Sequence, residues 1–177
     1  MYPSSIQDDG FRRVKVDPEL ASFHAGTQAR AFREISLAAG ATLYVRMDRL
    51  VDIILRRFNL YVNAGEIRCE IYRGATAAGV WAETIPVFAK CETNMRPEPL
   101  YVPQSKLYAG GSFSGGTLYD LIHVKTSGSG GNQGTVGNSS DDVLGAPAGT
   151  GWYKFSNPGT QAAAGIFSLW WEELPPT

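Results

Sequence analysis

The chain is short of the side chains on which most enzyme chemistry depends. Only His24 and His123 are available as general bases or metal ligands, and they lie far apart in unlike contexts. A metal site of the cupin type needs two or three histidines and a glutamate on neighbouring strands, which two isolated histidines do not supply. Cys69 and Cys91 are the only cysteines, too few for a disulfide-built scaffold, and a chain of this length can bury a core without one. Cys69 has the pattern of a core thiol, and two free thiols are expected. An excess of one charge is also missing. Sixteen Lys and Arg against 17 Asp and Glu leave a formal net charge of -1, so no global field draws the chain to nucleic acid or to an anionic membrane. No apolar run approaches the ~20 residues of a membrane helix. Met1 to Asp9 is polar and carries two acids, unlike the basic and then apolar start of a secretory signal. The expectation is a soluble protein made in the cytoplasm.

What is present is alternation. In Ile67-Arg68-Cys69-Glu70-Ile71-Tyr72-Arg73, Ile67, Cys69 and Ile71 share one face of a strand, with Arg68, Glu70 and Tyr72 on the other, because strand side chains alternate sides. The same period gives strands at 32–37, 42–48, 52–60, 66–73, 118–125, 151–156 and 165–171, and no helical stripe intervenes. The 52–60 run is more continuously apolar and is expected to lie deeper. A further strand at 84–90 contains Pro86, which removes a ladder donor and marks an edge strand or a bulge. In the 118–125 strand, Asp120 shares the parity of Leu118, Ile122 and Val124 and weakens the pattern. Turns fall at Ala39-Gly40 and Ala64-Gly65.

About eight antiparallel strands, with uneven connections at 91–116 and 127–150, predict an all-β fold: an antiparallel two-sheet sandwich of jelly-roll type. A closed up-and-down barrel is the alternative. One domain is expected over residues 31–177, preceded by an extended N-terminal arm over residues 1–30. The arm is interrupted by Pro3, Gly10, Pro18 and Gly26, and its apolar residues are isolated. Such a segment gains order by lying on something else, most plausibly a partner subunit.

Motifs that carry chemistry fail one by one. Gly111-Ser112-Phe113-Ser114-Gly115 has the glycines of a nucleophile elbow, but Phe113 stands where the serine must be. The stretch Gly128 to Gly134 lacks the Lys-Ser/Thr ending of a phosphate loop. Asp48, Asp52, Asp141 and Asp142 do not have the spacing of a calcium loop and read as turn carboxylates. Glu172 and Glu173 are adjacent, so they point to opposite faces, and read as the solvated end of a strand. Arg56 and Arg57 fit one salt bridge and one surface contact. No catalytic residue, metal site or cofactor emerges.

Aromatic residues remain: Trp152, Tyr153 and Phe155 on one strand, Phe167, Trp170 and Trp171 on another. Trp170 and Trp171 must face opposite ways, which leaves one of them as a candidate contact ring. Exposed aromatics of this kind also suit a carbohydrate- or receptor-binding module.

The segments Phe32-Arg33-Glu34-Ile35-Ser36-Leu37, Leu43-Tyr44-Val45-Arg46 and Val51-Asp52-Ile53-Ile54-Leu55, with the ending Gly165-Ile166-Phe167-Ser168-Leu169-Trp170-Trp171-Glu172-Glu173, resemble small head decoration, or cement, proteins of tailed bacteriophages. The resemblance spans roughly residues 30–174 and carries no catalytic signature. It implies a jelly-roll-like virion protein on the capsid surface, bound to the major capsid protein, and a dimer or trimer without direct nucleic-acid or membrane contact. The candidate partner-binding residues are then Phe11, Arg12, Arg13, Val14, Leu20 and Phe23 of the arm, together with Trp170.

Overall fold

A computed structural model describes residues 27–89, 101–126 and 145–174 in full. It adds the backbone of Leu144 and of three short strands at 6–8, 12–14 and 134–137. The described residues are all-β. Sixteen strands run in chain order: β1 (Ile6–Asp8), β2 (Arg12–Val14), β3 (Gln28–Leu37), β4 (Thr42–Arg49), β5 (Asp52–Ala64), β6 (Glu66–Arg73), β7 (Thr76–Ala78), β8 (Glu83–Ile85), β9 (Val87–Ala89), β10 (Lys106–Ala109), β11 (Ser112–Ser114), β12 (Thr117–Lys125), β13 (Gly134–Gly137), β14 (Leu144–Ala146), β15 (Gly149–Ser156) and β16 (Ala163–Leu174).

Four antiparallel pairs are nested in sequence: β3 with β16, β4 with β15, β5 with β13, and β6 with β12. Successive pairs alternate between two sheets, and β16–β5 and β15–β6 contacts join the pairs within each sheet. A nested hairpin wound over itself in this way is a jelly roll. Sheet I runs β12-β6-β15-β4-β10-β8, and sheet II runs β13-β5-β16-β3-β9 with β14 also on β5. Glycine makes two of the reversals possible. Gly40 and Gly65 both hold φ of 71°, a left-handed backbone that side chains disfavour. Gly65 alone separates β5 from β6, which lie in different sheets.

The core lies between the sheets. Val45, Met47, Ile67, Cys69 and Phe155 of sheet I meet Ile35, Phe58, Leu60, Phe167 and Trp171 of sheet II, all of them buried. Burying each such side chain contributes about 1.5–3 kcal/mol. Two ring stacks tie the sheets together: Phe155 on Phe167 at 4.8 Å and Phe58 against Tyr153 at 6.0 Å.

Several expectations are corrected. The 84–90 strand is two strands, β8 on sheet I and β9 on sheet II. Pro86, with no N–H to give either ladder, occupies the corner between them, and both are edge strands. The 91–116 connection carries β10 and β11, and the 127–150 connection carries β13 and β14. β3 starts at Gln28, so the sheet claims three residues assigned to the arm. The awkward parity at Asp120 comes from a β-bulge between Leu118 and Asp120, which leaves Leu118 about half exposed. The apolar run in β5 is broken the same way: opposite Trp170 and Trp171 the register skips Arg56, so Ile53 and then Phe58, Leu60 and Val62 all face inward.

Candidate functional site

The outer faces of the two sheets differ. On sheet I, Tyr44, Tyr72 and Trp152 project outward and are roofed by Phe113 of β11, whose ring lies 5.2–5.4 Å from each. Among the described residues β11 pairs only with β7, and this small ladder carries the roof. Trp81 extends it over Trp152 at 5.8 Å, with its indole laid against Gly111, where a Cβ would come within 2.4 Å of the ring. Arg46 sits over both Trp81 and Tyr108. The face is completed by Glu70, which is buried between Arg68 and Lys154 at 2.7 and 2.9 Å. Desolvation alone would raise the Glu70 pKa, yet these two cations hold it below its ordinary value.

Sheet II carries no such roof among the described residues. Its central strands present an outer grid in register: Arg57, Trp170 and Arg30 in one row, Asn59, Ser168 and Phe32 in the next, Tyr61, Ile166 and Glu34 in the third. Phe32 is half exposed and Ile166 and Phe88 more than a third. Phe88 on β9 stacks with Phe32 at 5.9 Å, and Arg57 lies over the Trp170 ring at 5.7 Å. The face is thus an aromatic and aliphatic strip with a polar centre and charged ends.

Trp170 is therefore the outward ring and Trp171 the inward one, wholly buried. The reading of Glu172 and Glu173 as a solvated strand end is overturned. Glu172 is mostly buried and paired with Arg56, whereas Glu173 points into the sandwich and is fully buried. Sequence reasoning missed Glu173 because its four donors come from Trp171 and from the remote segment 101–105. The arginine expectation holds: Arg56 makes the salt bridge and Arg57 the surface contact. Cys69 is buried and free, with a thiol pKa pushed well up by burial and by Asp120 and Glu70. His123 is largely exposed, 3.4 Å from Glu66.

Of the arm candidates, Arg12, Arg13 and Val14 form β2, which pairs with β1 and with no strand of either large sheet. Phe11, Leu20 and Phe23 lie outside the described residues. At one end of the sandwich a cavity of about 60 Å³ opens between Arg49, Arg73, Tyr119 and Tyr153, floored by Ile53, Phe58 and Ile122. It has room for a few waters but not for a sugar ring. Arg73 stacks on Tyr119 at 3.6 Å. Arg49 has its pKa lowered by burial and by the neighbouring Arg73 charge, against the opposing pull of Tyr153.

Among the described residues no group of three or more His, Cys, Asp or Glu side chains could hold a metal ion, and no helix is long and apolar enough to cross a membrane. No protein-family model matches the chain, and no curated protein matches its sequence.

Proposed function

We propose that this protein is a virion structural protein, a decoration or cement protein that binds the outer surface of an assembled phage head. In this reading it acts as a dimer or trimer and holds neighbouring major capsid protein subunits together through its N-terminal segment. The observation that carries the docking role is the β1–β2 ladder, which pairs Ile6 with Val14 and Asp8 with Arg12 and joins neither sheet. A lone two-stranded ladder is at best marginally stable in water. A ladder that shares no hydrogen bonds with either sheet gains stability by lying on another surface, which in this reading is the capsid. The assignment of that surface to a phage head rests on the sequence resemblance around residues 32–55 and 165–173.

The mechanism is mass action: a protein that binds the assembled lattice and not its free subunits stabilises the lattice. Synthesis in the host cytoplasm is followed by residence on the capsid surface. Co-sedimentation with heads stripped of their small outer proteins tests this. Saturable binding at a fixed copy number per capsid subunit is expected, and deletion of residues 1–26 weakens it while leaving the sandwich folded. Heads that sediment without the protein rule the reading out.

The stacked Phe32–Phe88 pair beside Trp170 favours a second reading, a glycan- or receptor-binding module of a tail or fibre. It expects sugar binding that disappears in Trp170→Ala. Trp171→Ala is no test of it, since that ring is in the core.

A further inference from the structure

We infer that the outer face of sheet II is the contact between two copies of this chain, packed face to face about a two-fold axis that runs across the strands through Ser168. The inference rests on the oligomeric part of the proposed function alone. Head binding can fail with the dimer intact.

The argument starts from β3. Arg30, Phe32 and Glu34 all point outward from it. Neither Arg30 nor Glu34 is in an ion pair among the described residues. Four residues of strand separate their Cα atoms by about 13 Å, too far to pair within one chain. A two-fold axis lying in the contact plane, perpendicular to the strands and through the row Asn59, Ser168, Phe32, keeps each strand over its own copy and reverses the rows. Arg30 then faces Glu34 of the second copy and Glu34 faces its Arg30, so one symmetry operation satisfies both charges.

The other two columns obey the same operation. Trp170 falls over Ile166 of the second copy, ring against branched aliphatic. Arg57 falls over Tyr61, where a guanidinium can stack on the ring or meet its hydroxyl. Phe32 meets Phe32 on the axis, with the two Ser168 beside it. No like charges are brought opposite each other, which is the condition an isologous contact must meet at every position. A two-fold along the strands fails it, because it sets Arg30 against Arg57.

The size also suffices. Three strands of ten or more residues at about 4.8 Å spacing, with the short β9, β13 and β14 at the edges, give a face on the order of 600 Å². That approaches the roughly 800 Å² per partner of a stable interface.

Sedimentation equilibrium of the full chain, without heads, tests the proposal. The wild type is expected at twice the 19.2 kDa chain mass. Arg30→Glu and Glu34→Arg each place like charges across the contact and raise the dimer dissociation constant at least tenfold. The double variant Arg30→Glu/Glu34→Arg restores the ionic pairing with reversed sign and brings it back toward wild type. Both residue changes are on an exposed face, and circular dichroism checks that each variant is folded. A monomeric or trimeric wild type overturns the proposal, as does a double variant no better associated than the single ones.

Discussion

Trp171 and Glu173, two residues apart on β16, both point into the sandwich, and the Trp171 indole N–H donates to Glu173 Oε1 at 3.1 Å. The same carboxylate accepts from the Tyr101 hydroxyl and the Gln104 N–H, both at 2.7 Å, and from the Ser105 N–H at 2.8 Å. A buried charge is tolerated only when fully hydrogen-bonded. Here four donors satisfy it and, in doing so, dock the segment leading into β10 against the last strand.

Replacing Glu173 by Leu leaves those donors buried without an acceptor. Each such orphan costs about 1–3 kcal/mol, and relaxation of the 101–105 segment lets some of them reach water. A net loss of about 3–5 kcal/mol is expected from urea denaturation. A loss below 1 kcal/mol would mean that Glu173 is not what holds the segment down.

The same group makes stability depend on acid. Burial pushes the Glu173 pKa up, but hydrogen bonds from Gln104, Tyr101, Ser105 and Trp171 more than reverse this and leave it below the ordinary 4.5. The folded state therefore binds its proton less readily than the unfolded chain. The contribution is complete above the unfolded value and is lost as pH falls through the lower, folded one. The stability difference between wild type and Glu173→Gln should be constant near neutral pH and narrow below about pH 4.5. A difference that widens on acidification contradicts the hydrogen-bond account.

The strand framework was legible because its information is local. Alternation located seven of the eight frame strands, and the glycines located two of the reversals. What could not be read depends on pairing between distant segments. The carboxylates of Glu172 and Glu173 look solvated until Arg56 and the 101–105 segment are folded against them. The bulges at Arg56 and Tyr119 shift parity mid-strand, which a strict period of two reads as noise. β13 sits in a glycine-rich stretch and takes its strand form by pairing with β5, some 70 residues away in sequence. The grid on sheet II needed two registers at once, and a single strand shows only one of its three columns.

Arg56 and Glu172 supply a measurable pair. Both side chains are mostly buried on the outer side of sheet II, and the bulge in β5 brings Arg56 over β16. A double-mutant cycle with Arg56→Ala and Glu172→Ala should give a coupling of about 1–2 kcal/mol, above the few tenths of an exposed pair. Additive single effects would show that the bulge is held by the backbone instead.

Cys69 should be chemically silent. Its thiol is fully buried, and its pKa is raised by desolvation and by the nearby Asp120 and Glu70 charges, so almost no thiolate exists at neutral pH. Iodoacetamide at pH 8 is expected to leave Cys69 unmodified in the folded protein and to label it fully in 6 M guanidinium, read by peptide mass spectrometry. Labelling at equal rates in both conditions would place the thiol at the surface.

Gly165 of β16 lies too close to β5 for a side chain to fit. A Cβ there would stand 2.3 Å from the Tyr61 carbonyl oxygen and 3.2 Å from Val62 Cα and the Ile67 side chain. The obstacle is mostly backbone of β5, at a register shift between Ala164 and Gly165, so no side-chain rotation relieves it. Gly165→Ala must push β16 away from β5 or distort the ladder, at about 2–3 kcal/mol for an overpacked core position. For a chain of this size that lowers the melting temperature by roughly 4–12 °C. Gly145→Ala is the matched control, since a Cβ there meets nothing within 4 Å, and it should leave the melting temperature unchanged within about 2 °C. Equal shifts in the two variants would show that backbone entropy, and not the contact with Tyr61, sets the requirement for glycine.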